Sequence, residues 1–129
     1  MNRARVIMTS TLLLATARLA QAGGMIASPA VYASYDQQLV TCLVRNTGTR
    51  PMSVQVSIVS ESGVALTTVT DHCNNVSVAP GATCFEYATA QPGVAHACSA
   101  TALSGSSKYL RGTLIVGSPD FAPRVSELR

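Results

Sequence analysis

The sequence predicts an all-β protein: an antiparallel β-sandwich, immunoglobulin-like in the loose sense, of about seven or eight short strands. Apolar and polar residues alternate with a period of two in several segments, and turn residues separate these segments about every ten residues. No stretch beyond residue 22 sustains the 3.6-residue period of an amphipathic helix. A small closed β-barrel is the alternative architecture. The chain contains no tryptophan, so the immunoglobulin Cys…Trp…Cys signature is absent.

Residues 1–22 have the composition of a secretory signal peptide. Arg3 and Arg5 give a positively charged start, an apolar stretch containing Leu12–Leu14 follows, and Ala20-Gln21-Ala22 matches a cleavage site. The apolar stretch is too short to anchor the protein in a membrane. We therefore expect a periplasmic or secreted protein that is cleaved near Ala22.

Removal of the signal peptide changes the charge balance. The whole chain has a net charge of +3, and three arginines leave with the signal. The remaining chain is neutral, because its bases are Arg45, Arg50, Lys108, Arg111, Arg124 and Arg129 and its acids are Asp36, Glu61, Asp71, Glu86, Asp120 and Glu127. Without an excess of bases to neutralise phosphates, we expect no nucleic-acid binding. No second apolar segment has the length of a membrane span.

Residues 39–60 carry the clearest strand pattern. Two alternating segments, 39–45 and 53–58, flank a polar turn at 46–51. Their apolar faces consist of Val40, Cys42 and Val44 in the first segment and Val54, Val56 and Ile58 in the second. Asn and Gly in the turn tolerate positive φ, and Pro51 fixes its own φ. The sequence thus predicts a central β-hairpin around which the other strands form a second layer.

The other strands are predicted from shorter patterns. They cover residues 27–35, 64–70, 84–90, 95–103 and 109–116, with a short apolar piece at 76–79. Residues 23–116 should therefore form the sandwich domain. Residues 117–129 contain Pro119 and Pro123 and are predicted to form a mobile C-terminal tail.

All four cysteines follow the predicted cleavage site, so an exported chain should contain two disulfides. Three pairings are open, of which we favour Cys73–Cys84 and Cys42–Cys98. The first encloses the Pro80-Gly81 turn, which brings its ends together. The second would tie two core-facing strands.

These motifs resemble those of a known group of proteins. The resemblance rests on Cys42-x-Val44-x-Asn46-x-Gly48 followed by Pro51, on the series from Cys73 through Pro80-Gly81 to Cys84 and Cys98, and on Arg111-Gly112. In these features the chain is similar to small exported bacterial β-sandwich proteins of unknown function. The resemblance implies a secreted, disulfide-bonded sandwich and brings no catalytic residue with it.

Candidate chemical groups are few. Asp71-His72-Cys73 is a local cluster, but consecutive side chains point in different directions and rarely form a catalytic set. His96 could serve Cys98 or a serine, yet no nucleophile-elbow motif surrounds any serine. The two histidines and two of the cysteines lack zinc-site spacing. We therefore predict a non-enzymatic protein without a cofactor, and an envelope metal-handling protein using His72 and His96 is the alternative.

The remaining polar and aromatic signals concern recognition. Asn75-Val76-Ser77 fits the N-glycosylation pattern, which in a bacterial chain is best explained as a chance match. The tyrosines could line a groove or fill the core; they are Tyr32, Tyr35, Tyr87 and Tyr109. The sequence therefore predicts a binding or structural role in the cell envelope or outside it, with a protein or glycan partner at a sheet edge or at end loops.

Overall fold

The computed structural model describes residues 24–118 and 121–129. Two antiparallel sheets pack face to face in this part of the chain and do not close into a barrel, which confirms the predicted sandwich. The predicted signal peptide, residues 1–22, lies outside the described residues. Within them, no helix has the length and hydropathy needed to cross a membrane.

Each sheet has five strands. Sheet I contains β1 (Met25–Ala27), β2 (Val31–Tyr32), β4 (Met52–Ser60), β6 (Ser77–Val78) and β8 (Ala95–Ala102). Sheet II contains β3 (Leu39–Asn46), β5 (Thr68–Asp71), β7 (Thr83–Thr89), β9 (Leu110–Ser118) and β10 (Phe121–Leu128). In sheet I, β8 lies between β4 and the two short strands β1 and β2, and β6 pairs with the far edge of β4. The order in sheet II is β10-β9-β3-β7-β5. A 3-10 turn, Ser107–Tyr109, precedes β9.

The predicted central hairpin is wrong, although both of its strands exist. Strand β3 pairs with β7 and β9 in sheet II, whereas β4 pairs with β8 and β6 in sheet I. Residues 47–51 therefore cross from one sheet to the other. The physical reason is that each strand has a full apolar face, and opposing sheets bury both faces against each other. Sequence alternation identifies such strands but not the sheet to which each belongs.

The polar turn after β3 depends on a buried side chain. Asn46 donates from Nδ2 to the carbonyls of Arg50 (2.8 Å) and Val78 (2.9 Å). Its Oδ1 accepts the N–H of Gly48 at 2.8 Å. Neither Asn46 nor Gly48 has a positive φ, contrary to the role expected from the turn sequence. Gly48 instead permits close packing, because a Cβ there would lie 3.1 Å from Asn46 Oδ1.

The segment predicted as a C-terminal tail, residues 117–129, contains a further strand. Strand β10 pairs with β9, with Leu128 buried opposite Gly112. The backbone of Arg129 then exchanges hydrogen bonds of 3.2 and 3.3 Å with Ala27 of sheet I. The β9–β10 register shifts between Phe121 and Arg124, on either side of Pro123. An edge strand tolerates the missing N–H of proline, so the prolines in this segment do not exclude a strand.

The other predicted strands are present with altered limits. The first, expected over 27–35, is split into β1 and β2, with Pro29 between them. The third candidate, expected over 64–70, is reduced to β5. The short apolar piece at 76–79 contains β6. These additional short strands raise the number of described strands to ten.

The core lies between the two sheets and is mostly aliphatic. Its largest fully buried side chains include Val40, Val44, Val54, Ile58, Leu110, Leu114 and Val116. The disulfide Cys42–Cys98 crosses this core from β3 to β8, with a Cα–Cα distance of 6.0 Å. The disulfide Cys73–Cys84 joins the segment after β5 to β7, at 5.1 Å. This is the pairing that the sequence analysis favoured, and neither bridge leaves a free cysteine among the described residues.

Candidate binding surfaces

The residues predicted as alternative metal ligands do not share a site. His72 is exposed beside β7, where its ring lies 4.6 Å from that of Phe85. His96 is fully buried in β8 of the other sheet. Cys73 and Cys98 are disulfide-bonded. Among the described residues no group of three or more His, Cys, Asp or Glu side chains is placed to hold a metal ion.

The fold places one serine beside a histidine. Ser60 of β4 lies opposite His96 of β8, and both side chains are buried. Ser60 Oγ, however, contacts Ser62 Oγ (2.9 Å) and the carbonyl of Val64 (3.3 Å). His96 Nε2 contacts the N–H and the carbonyl of Gln91, at 3.1 and 3.3 Å. The two side chains therefore bond to separate partners, and this arrangement serves the structure.

The pKa values of two acids near β5, Asp71 and Glu86, are shifted from their ordinary values. Burial alone would raise the pKa of Asp71, but the N–H groups of Asn74 and Cys73 donate to its carboxylate and bring the net pKa below the ordinary value. Burial raises the pKa of Glu86, and the nearby charge of Asp71 adds to that effect. Glu86 Oε1 accepts the hydroxyl of Thr68 at 2.5 Å, while Oε2 is buried without a partner. Asp71 thus holds a turn, and Glu86 is a buried acid.

The outer face of sheet II is apolar, and it is the first candidate binding surface. Its outward side chains come from β3, β7, β9 and β10 by strict alternation. The apolar members are Leu39, Leu43, Phe85, Tyr87, Ile115 and Val125. Leu39 and Val125 are 39% and 57% exposed, and the others are partly covered by one another. Threonines, arginines and one acid complete the face: Thr41, Thr83, Thr89, Thr113, Arg45, Arg111 and Glu127.

Strand register joins these side chains into one patch. Leu43 lies directly opposite Phe85, and Thr41 lies between Tyr87 and Ile115. The rings of Phe85 and Tyr87 are nearly parallel, at 9°, with centroids 6.4 Å apart. With His72 beside Phe85, a row of rings runs along β7. The patch is therefore continuous across the three central strands of sheet II.

The outer face of sheet I is different. Its outward side chains on β4 and β8 are small or polar: Ser53, Gln55, Ser57, Val59, Ala95, Ala97, Ser99 and Thr101. A solvated face of an antiparallel sheet is expected to look like this. On β4 and β8, sheet I therefore has the composition of a surface exposed to water, and its exposed Met25 and Tyr32 lie on the short edge strands β1 and β2. Sheet II carries apolar and aromatic side chains on its central strands.

A second candidate surface is one end of the sandwich, which we call the basic end. It is formed by residues 47–51, the Pro80-Gly81 turn and residues 103–109, and its exposed bases are Arg45, Arg50, Lys108, Arg111 and Arg129. The connections at the opposite end carry the exposed acids Asp36 and Glu61. The chain without its predicted signal peptide is neutral overall, but these bases and these two acids lie at opposite ends of the strands.

The four tyrosines do not form a single groove. Tyr87 belongs to the outer face of sheet II, and Tyr109 is 43% exposed at the basic end. Tyr32 and Tyr35 lie at the opposite end, where their hydroxyls approach the position that a Cβ would take at Gly93. In the Asn75-Val76-Ser77 sequence, Asn75 is exposed in a left-handed conformation with φ of 60°.

Neither a protein-family model, nor a curated protein, nor a solved structure was found to match this chain.

Proposed function

We propose that this chain is an exported, non-enzymatic bacterial protein that binds a protein partner through the outer face of sheet II. The proposal rests on one observation, which is the contrast between the two outer faces of the same sandwich. On its two long strands, β4 and β8, sheet I presents mainly serine, alanine and threonine to solvent, whereas the central strands of sheet II present leucine, isoleucine, phenylalanine and tyrosine among threonines and arginines.

That composition matches the core of a protein–protein interface. Aromatic residues and arginine are enriched in such cores, and lysine, glutamate, aspartate, serine and alanine are depleted. The described outward side chains of β3, β7 and β9 include none of those five types, and Glu127 on the edge strand β10 is the exception on this face. Covering it would remove apolar area from water, which stabilises a complex by about 25 cal/mol for each Å² buried.

The chemistry of the face favours a protein over a neutral glycan. Leu39, Leu43 and Ile115 are aliphatic and offer no hydrogen bonds to sugar hydroxyls. Leu43 lies opposite Phe85, and Thr41 separates Tyr87 from Ile115, so aliphatic and aromatic side chains share the face. A partner with a complementary apolar patch fits this face best.

Export is part of the proposal and has its own support. Two disulfides persist in oxidising compartments and are rare in the cytosol. They agree with the signal peptide predicted over residues 1–22, which would deliver the chain to the periplasm or the medium.

The proposal is tested by the size of the complex in the exported fraction of the source cells. The tagged wild-type chain should elute from a sizing column in a complex larger than the free chain. The double variant Leu43→Asp/Ile115→Asp should elute as the free chain, because it places charges in the contact area. The matched control Ser57→Asp/Thr101→Asp, on sheet I, should keep the complex. A wild type that elutes free, or a control that loses the complex equally, would overturn the proposal.

A further inference from the structure

We infer that the basic end is a separate binding site for an acidic polysaccharide, one whose sugars carry carboxylates. This goes beyond the proposed function, because the ligand is a saccharide and one of the site's two concavities lies on the loops that join the sheets. The other concavity adjoins the outer face of sheet II. The inference rests on the charge, the fixed arginines and the shape of this end.

The bases at this end form no ion pair among the described residues, although Glu127 lines the same concavity as Arg45 and Arg111. Arg45 and Arg111 lie directly opposite each other on β3 and β9. Like charges facing across strands destabilise a sheet. Within residues 24–118 and 121–129 no ion pair involves the bases of the basic end, and Glu127 forms none with them. A bound carboxylate would offset this repulsion.

Backbone carbonyls hold the two opposed arginines in place. Arg45 donates from Nε to the carbonyl of Gly81 at 3.2 Å. Arg111 donates from Nη1 to the carbonyls of Lys108 (2.9 Å) and Leu110 (2.7 Å). Each guanidinium keeps further N–H groups that no described residue uses. An arginine fixed in this way loses little conformational entropy when it binds a carboxylate.

Two concavities lie beside the arginines of the basic end. One, of about 440 Å³, is lined by Arg45 and Arg111 together with Thr83, Thr113, Leu43 and Glu127. The other, of about 390 Å³, is lined by Arg50 and Tyr109 together with Thr49, Ser104 and Ser106. Both volumes are in the range of small-molecule binding sites. Tyr109 of the second concavity lies two residues before Arg111 of the first, so the proposed ligand is a chain long enough to reach both.

The second concavity has the mixed lining that an acidic sugar requires. The hydroxyls of Thr49, Ser104 and Ser106 can bond to sugar hydroxyls. Lys108 Nζ lies 4.7 Å from the centroid of the Tyr109 ring, so only the opposite side of that ring is left for a sugar. Arg50 is exposed and can pair with the carboxylate in two-pronged fashion. Nucleic acid would call for several stacking rings along a groove, and this concavity has one. A carboxylated sugar chain therefore fits better than other polyanions.

The experiment measures binding of an oligogalacturonate to the full exported chain by titration calorimetry. Three comparison ligands are the methyl-esterified oligosaccharide, poly-glutamate and vesicles of anionic phospholipid. We expect binding of the oligogalacturonate only, with an affinity that falls as salt is added. Binding to poly-glutamate or vesicles with similar affinity would overturn the inference in favour of an acidic protein or a membrane surface. Absence of oligogalacturonate binding would overturn it outright.

Three single variants locate the site. Arg50→Ala and Arg111→Ala should each weaken binding by about tenfold or more, the scale of a lost charge-assisted bond. Asn46 bonds to the backbone carbonyl of Arg50, so Arg50→Ala keeps that contact and should fold. The control Asp36→Asn changes a charge at the opposite end of the sandwich and should leave the affinity unchanged. Equal losses for all three variants would contradict a localised site.

The two proposals can fail independently. The single variant Ile115→Asp, which alters the outer face of sheet II, should still bind the oligogalacturonate, since Ile115 lines neither concavity. Loss of the protein complex with retained saccharide binding would support both proposals.

Discussion

Two side chains inside the sandwich each leave one buried polar atom without a partner among the described residues. They are Glu86, through Oε2, and His96, through Nδ1. An unpartnered buried polar atom costs about 1–3 kcal/mol. Glu86 is 3% exposed and shares the inward face of β7 with Cys84 and Ala88. Stability at this residue therefore depends on whether its carboxyl is protonated.

The pH dependence of stability should reveal Glu86. Because its pKa is raised in the folded state, its contribution to the free energy of unfolding is complete below the unfolded pKa, ordinarily 4.5. That contribution is lost as the pH rises through the raised folded pKa. We expect Glu86→Gln to remove this loss, so the variant gains on the wild type as the pH rises above 4.5. Urea denaturation across a pH series measures the difference.

The exposed acid Glu127 provides the control for that series. Glu127→Gln removes the same charge from the outer face of sheet II and should follow the wild-type profile. A Glu86→Gln profile parallel to that of the wild type would contradict the buried-acid account.

Asn46 is the second residue whose removal should be costly. Asn46→Ala loses three hydrogen bonds, to Gly48, Arg50 and Val78, at a fully buried position. At about 1 kcal/mol for each bond, we expect the free energy of unfolding to fall by about 3 kcal/mol. Chemical denaturation measures this, with exposed Gln38→Ala as the control expected to change it by less than about 0.5 kcal/mol. Equal effects in the two variants would show that Asn46 does not hold the turn.

At the scale of elements, alternation in the sequence was sufficient to locate strands but not to pair them. Strands β3 and β4 were visible because Val, Leu and Ile recur at every second position. Their separation into two sheets depends on long-range packing that no local pattern encodes. Strand β10 was missed because Pro119 and Pro123 in this part of the sequence favour irregular structure. Pairing with β9, which no local pattern indicates, overrides that preference.

The two disulfides should contribute unequally to stability. Cys42–Cys98 joins residues separated by 56 positions and Cys73–Cys84 residues separated by 11. The chain-entropy estimate gives about 4 kcal/mol for the first and about 3 kcal/mol for the second. We therefore expect Cys42→Ala/Cys98→Ala to lower the denaturation midpoint more than Cys73→Ala/Cys84→Ala. The reverse order would show that chain entropy does not govern these bridges.

At the scale of the whole molecule, both candidate surfaces arise from the way the strands assemble. The outer face of sheet II brings together side chains from β3, β7 and β9, which are distant in sequence. The basic end collects arginines that composition had balanced against acids. Alternation in the sequence predicts which residues of one strand share a face. It does not predict the patch, because the patch depends on which strands are neighbours in the sheet.

An exported and fully oxidised chain should have a defined intact mass. The protein recovered from the periplasm or medium should have the mass of residues 23–129 less four hydrogens. Reduction and alkylation should then add four alkyl groups, one for each cysteine. Intact mass spectrometry measures both values. A mass that retains residues 1–22, or alkylation without prior reduction, would contradict the exported, fully oxidised form.

The most direct test of the central claim is site-specific photo-crosslinking in the source cells. A photoreactive residue at Ile115 reports on the outer face of sheet II, and one at Ser57 reports on the outer face of sheet I. We predict a discrete protein adduct from position 115 that is absent from position 57. Equal adducts from both positions, or none from position 115, would contradict the assignment of sheet II as the binding face.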